Sequence, residues 1–179
     1  MAYDYRALLE NVHSVLGATS TVSTLVASMS VDYPIASDNI HNRIKIGDPS
    51  KIPTYASEYP SAYVELIGKE EEFSQLGTTS IGGGAVSIKR DITTSINITA
   101  FVYKQDGSDA SDKQVQTFAR NIETIFRSNT QVDGSDGWDT CLFTSAQFAD
   151  AYLEGAKNRD GVHLSAVKLE GEFFKAAIS

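Results

Sequence analysis

The side chains with chemical potential in this sequence are few and scattered. Glu70, Glu71 and Glu72 are consecutive and could supply paired carboxylates for a metal or for acid–base work. Neighbouring residues in an extended chain point in alternating directions, so three in a row do not converge without help from elsewhere, and they read as a solvated acidic tip. His13, His41 and His163 fall on a helix, an arm and a strand, without the H-E-x-x-H or Cys/His spacing of a zinc site. Asp133, Asp136 and Asp139, interleaved with Gly134 and Gly137, lack the order of a calcium loop and its closing Glu. Ser80-Ile81-Gly82-Gly83-Gly84 is followed by no G-K-[ST] and by no helix start, so it reads as a hairpin tip rather than a phosphate cradle. Cys141 is the single cysteine, which leaves no disulfide within the chain and no thiolate zinc cluster, and it reads as a small buried hydrophobe in a strand. The triplet Asn97-Ile98-Thr99 lies inside a strand pattern and reads as a chance match to a glycosylation site. No catalytic residues, no cofactor site and no metal site emerge.

The bulk properties point the same way. The 179 residues are 41% hydrophobic and 21% charged, which suits one globular domain spanning 1–179. A net charge of -8 opposes a basic groove that tracks phosphates, whereas an acidic surface repels DNA and lets it slide past. No run approaches the roughly 20 apolar residues of a membrane span, and the start lacks a leader pattern, so the expectation is a soluble, non-secreted protein without membrane contact.

The elements that must hold these residues follow from periodicity. Tyr5, Leu8, Leu9, Val12, Val15 and Leu16 line one face of a helix capped by Asp4 and stopped by Gly17. The spacing of Val22, Leu25, Val26 and Met29 suggests a second short helix. All four prolines (Pro34, Pro49, Pro53, Pro60) fall between 30 and 60, which marks an extended arm or loop. Ser61 to Ile67 reads as a strand, and from Val86 to Val102 the even positions, Arg90 apart, are apolar, small or Thr, a strand of unusual length. At about 3.3 Å per residue it would reach roughly 50 Å, so part of it is expected to project, with 68–90 as the projecting hairpin and the boundary near Asp91.

Ser111 to Gln114 has the form of a capping box, and Val115, Phe118, Ala119, Ile122, Ile125 and Phe126 trace the buried face of the helix after it. Thr140 to Leu153 and Val162 to Phe174 complete the pattern as strands joined through Asp160-Gly161, the latter with a bulge between Leu164 and Val167 where its apolar set changes register. The expected fold is therefore α+β: a mixed, mostly antiparallel sheet with a long projecting β-hairpin, packed by an amphipathic helix and an N-terminal helix.

In that order of elements the chain resembles the tail-terminator and neck proteins of tailed bacteriophages. The carriers are the helix Tyr5 to Leu16, the strands Ala62 to Ile67 and Ile88 to Tyr103, the helix Val115 to Phe126, and the last hairpin with Ala151-Tyr152-Leu153-Glu154-Gly155 and Asp160-Gly161-Val162-His163. The resemblance implies a non-enzymatic virion protein, assembled in the host cytoplasm, that forms a homo-oligomeric ring of six. Such a ring caps the tail-tube protein, stops its polymerisation and docks the head–tail connector or neck protein, with DNA passing only through an acidic lumen. It places partner contacts on Glu70, Glu71, Glu72, Phe73, Gly82, Gly83, Gly84 and Arg90, and on Tyr55 of the arm, while Trp138 reads as a packing anchor or as an interface residue. A tail-tube protein, a head-completion protein and a non-catalytic binding module are the other readings of the same layout.

Overall fold

The computed structural model describes residues 3–29, 43–47, 60–76, 88–104, 110–134, 136–148 and 163–178. In chain order these form α1 (Tyr5–Gly17), α2 (Thr19–Leu25), β1 (Ile44–Ile46), β2 (Ser61–Leu76), β3 (Ile88–Lys104), α3 (Ala110–Ser128), β4 (Thr140–Phe148) and β5 (His163–Ile178). The five strands make one sheet in the order β1-β2-β3-β5-β4, in which only the β1–β2 pair is parallel. The architecture is α+β, as the periodicity implies.

The core forms because one face of the sheet is apolar and three helices have apolar stripes to set against it. Leu8, Val12 and Leu16 of α1, Leu25 of α2, and Val115, Phe118, Ile122, Ile125 and Phe126 of α3 join Val64, Ile96, Ile98, Val167, Leu169 and Phe173 in a single buried cluster. The even positions of β3 from Ile92 to Val102 are all buried on this face. Burying each large member stabilises the fold by about 1.5–3 kcal/mol.

Several local devices differ from those the sequence suggests. Gly17 is the last residue of α1 rather than a left-handed stop, and the chain leaves the helix at Ala18 with φ -64° and ψ 137°. The carbonyls left open there are met by the Thr21 hydroxyl, which lies 2.8 Å from the Ala18 oxygen and 3.0 Å from that of Val15. Asp4 does cap the other end, accepting from the Arg6 and Ala7 amides at 2.9 and 3.2 Å. The third helix begins at Ala110, so Ser111 sits in its first turn and not at the cap. The 30–60 segment is not irregular throughout: Ile44–Ile46, a local apolar alternation clear of the prolines, adds a short strand beside Ala62–Val64. No bulge interrupts β5 at Leu164–Val167, where its pairing with Tyr103–Ala100 is continuous; the irregularities fall opposite Arg90/Ile92 and Phe143/Ser145. The strand beginning at Thr140 ends at Phe148, and Asp160-Gly161 lies outside the described residues.

Asn121 is a polar group inside this core. It is 5% exposed, and its Nδ2 donates to the Leu25 and Ala27 carbonyls at 3.1 and 2.9 Å, fastening the end of α2 to α3. Asn121→Ala is expected to cost about 1–3 kcal/mol, because two carbonyls at a helix end lose their donor. Chemical denaturation of the two proteins measures this, and an unchanged midpoint would refute the clamp.

Candidate partner-contact surface

The long antiparallel pair β2–β3 runs from Ser61↔Phe101 to Leu76↔Ile88. Its two limbs leave the core at different places. On β3 the last buried residue is Ile92, and Arg90 and Lys89 are exposed, which agrees with a boundary near Asp91. On β2 burial ends at Val64, and Leu66, Ile67 and Lys69 to Glu72 are exposed. The difference has a simple cause: β3 is flanked by β2 and β5, whereas β1 covers only Ala62–Val64 of β2. The outer part is also less of a free ribbon than expected, since β5 accompanies β3 as far as Arg90↔Ile178.

Strand alternation separates the three glutamates. Glu71 pairs with Ile92 and so lies on the helix face, while Glu70, opposite Thr93, and Glu72, opposite Asp91, lie on the other. Glu71 is held from three sides: Lys69 Nζ at 2.8 Å, Arg90 Nη1 at 3.2 Å and the Tyr5 hydroxyl at 3.2 Å. Lys69 also lies 4.9 Å from the centre of the Tyr5 ring, and Tyr3 meets that ring edge-on at 5.2 Å. The hydrogen bond from Lys69, then that from Tyr5, holds the Glu71 carboxyl below its ordinary range. Exposed ion pairs of this kind contribute little stability, but they fix the outer part of β2 against α1. Glu71 is thus a bracket inside the chain, and Glu70 and Glu72 are the acidic side chains turned outward.

The face away from the helices is buried at its centre, where Ser61, Tyr63, Asn97, Thr99, Phe101 and Ala166 lie, and carries its charge around that centre. Paired positions share a face, so the row Glu65–Asn97–Glu170 crosses β2, β3 and β5 there, with Glu172 beside Ser95 and with Glu70, Glu72 and Asp91 farther along. Lys168, Lys89 and Lys45 lie on the same side, Lys45 near the Tyr63 ring at 5.8 Å. Among the described residues, six carboxylates stand on this side against three ammonium groups, an acidic balance. The sequence singles out Glu70 and Glu72 but not Glu65, Asp91, Glu170 and Glu172; only the pairing register brings them together.

Trp138 is not a surface contact. It is completely buried, stacked edge-on against Phe173 at 5.0 Å and near Phe126 at 6.1 Å, and its Nε1 donates to the Asn129 carbonyl at 3.2 Å. A packing anchor is its role, because burial leaves nothing of it for a partner. The loop that carries it is closed by paired hydrogen bonds between Val132 and Trp138 and held by the N-terminal segment: Tyr3 donates to the Gly137 carbonyl at 3.0 Å and Asn11 to that of Asp136 at 2.9 Å.

The loop aspartates diverge accordingly. Asp136 accepts from the Asp4 amide, Asp133 from Gln131, and Asp139 from Lys175 at 3.0 Å and the Ala176 amide at 2.8 Å. Among the described residues no three His, Cys, Asp or Glu side chains are grouped to hold a metal ion. His13 bonds the Ile44 carbonyl at 2.9 Å, tying α1 to β1. Cys141 is half-buried against the core, and burial pushes its thiol up to about 11, which keeps it protonated. Tyr55, Gly82, Gly83, Gly84 and His41, and the side chains of Phe73 and His163, lie outside the described residues.

Burial raises the Asp139 pKa, but the Ala176 amide and Lys175 outweigh it and hold the carboxyl below its usual value. A depressed folded pKa contributes stability above the unfolded value, near 4, and loses it as pH falls through the folded one. Asp139→Asn is therefore expected to be less stable than wild type at neutral pH, with the gap closing below about pH 4. Melting temperatures of both proteins across that range check this, and parallel curves would refute it.

No helix of the described residues is long and apolar enough to cross a membrane. The sequence matches no protein-family model and no curated protein.

Proposed function

We propose that the chain is a structural ring protein of a bacteriophage tail or neck, in which six copies cap the tail tube, end its polymerisation and present a docking face to the head connector. The observation that carries this reading is the acidic side of the sheet, where strand register sets Glu65, Glu70, Glu72, Asp91, Glu170 and Glu172 on the face away from the helices, with Glu70, Glu72 and Glu172 exposed. Turned toward the axis of a ring, such a surface repels the phosphates of passing DNA and keeps it from sticking. In this role the protein makes and breaks no covalent bond and needs no cofactor; its partners are its own copies, the tube protein and the connector, and its place is the virion.

The test is negative-stain microscopy of the purified protein mixed with tail tubes. Attachment at one tube end is the expected result. Decoration along the whole tube would replace the terminator reading with that of a tube-associated protein, and no attachment would remove the tail reading altogether.

A further inference from the structure

Among the described residues the exposed large apolar side chains are Ile46, Leu66, Ile67, Leu142 and Phe148, and all of them lie at the two margins of the sheet. Ile46, Leu66 and Ile67 cluster where β1 ends and the outer edge of β2 continues without a described partner. Leu142 and Phe148, 65% and 50% exposed, are on β4 at the opposite margin. That strand, Thr140–Phe148, contains no charged residue and no proline in a chain of net charge -8. Edge strands that are to stay unpaired carry Lys, Pro or inward charges, and β4 has none of these.

From this geometry we infer that β4 of one copy pairs with the outer edge of β2 in the next, so that the sheet continues from subunit to subunit. This rests on the ring reading and supplies its contact. Strand direction alternates from β2 through β3 and β5 to β4, so β2 and β4 run antiparallel within one sheet. A neighbour in the same orientation therefore offers its β2 antiparallel to β4, with its helices on the same side. Placing Phe148 opposite Leu66 sets both on the helix face and lays β4 along the part of β2 beyond the end of β1, where each strand carries an irregularity.

Charge selects this pairing over the symmetrical ones. Two β2 edges would bring Glu70, Glu71 and Glu72 against their own copies, and like charges opposite one another are destabilising. Two β4 edges would leave Ile46, Leu66 and Ile67 uncovered. Only β4 against β2 covers both apolar margins, and it does so head to tail, the contact type that closes into a ring.

The experiment uses two double variants of the full chain, Leu142→Lys with Phe148→Lys, and Leu66→Lys with Ile67→Lys, studied by size-exclusion chromatography with light scattering. The expected result is a loss of at least tenfold in self-association for each alone, and a one-to-one dimer when they are mixed, because each retains the edge the other lacks. Formation of that dimer also shows that both variants fold. A β2-edge variant that assembles like wild type would overturn the inference in favour of a two-fold β4 contact. A mixture that stays monomeric, or a wild-type chain monomeric at every concentration, would also overturn it. Oligomers that need these edges but bind no tail tube would keep this inference and remove the phage reading; tube-capping rings indifferent to the lysines would do the reverse.

Discussion

Gly137→Ala is expected to destabilise the protein by on the order of 3–5 kcal/mol, as much as removing a large core side chain. A Cβ at this position would stand 1.9 Å from the Val132 carbonyl oxygen and 2.7 Å from its carbon, and neither is the movable end of a side chain. That same oxygen accepts the Trp138 amide at 3.1 Å, so making room for one methyl group breaks the closure of the loop. The damage then spreads in two directions. Trp138 loses the bridge that holds it between Phe126 and Phe173, and the Gly137 carbonyl moves away from the Tyr3 hydroxyl. Thermal and urea unfolding compare the variant with wild type; Gly134→Ala is the control, since its Cβ meets nothing within 4 Å although its φ of 106° carries strain of its own. If the two variants unfold alike, conformational strain and not the close approach limits this loop.

A cost of about 3–5 kcal/mol is also expected for Phe126→Ala. Its ring is 1% exposed and meets Phe143, Phe173 and Trp138 at 5.4, 5.6 and 6.1 Å between centroids, the first two edge-on. It is the point at which α3, β4, β5 and the Trp138 loop come together, so the cavity left by truncation is walled by three packed rings and has little means of collapse. Phe126→Leu, which keeps most of the volume, should cost less than half as much. The difference between the variants separates lost volume from lost ring contacts. Denaturant midpoints give the answer directly, and a Phe126→Ala protein within 1 kcal/mol of wild type, on the order of a surface change, would place this ring outside the core.

The parts of this architecture legible in the sequence are those written in periodicity. The even positions of β3 and the apolar stripe of α3 identify the core face because each repeats over many residues, and noise in any one position is averaged out. Asp4 was equally legible, since a cap needs only its own side chain and the amides after it. What stayed hidden depends on residues far apart. Asn121 meets Leu25 and Ala27 across almost a hundred positions, and nothing in its neighbourhood distinguishes it from a solvated asparagine. Ile44–Ile46 is too short to register against the prolines around it, and it is a strand only because Ala62–Val64 lies alongside. The glutamate triplet shows the limit within a single motif: its acidity is visible in the sequence, but which carboxylates turn outward is decided by the register with β3 and by the reach of Tyr5. Trp138, an aromatic among glycines and aspartates, reads in the sequence as a packing anchor or an interface residue, and only its burial decides for the first.

The hold of the N-terminal segment on the Trp138 loop has a consequence for the order of events during synthesis. Tyr3 and Asn11 find their acceptors at Gly137 and Asp136, separated by 134 and 125 positions. A chain made from its N-terminus therefore has α2, β1 and β2, against which α1 packs, well before the Trp138 loop, and the two bonds that fasten the N-terminal segment to that loop wait until residue 137 has left the ribosome. The closing of those two bonds is thus a late step of the fold, one that seals the Trp138 loop onto an N-terminal unit already assembled.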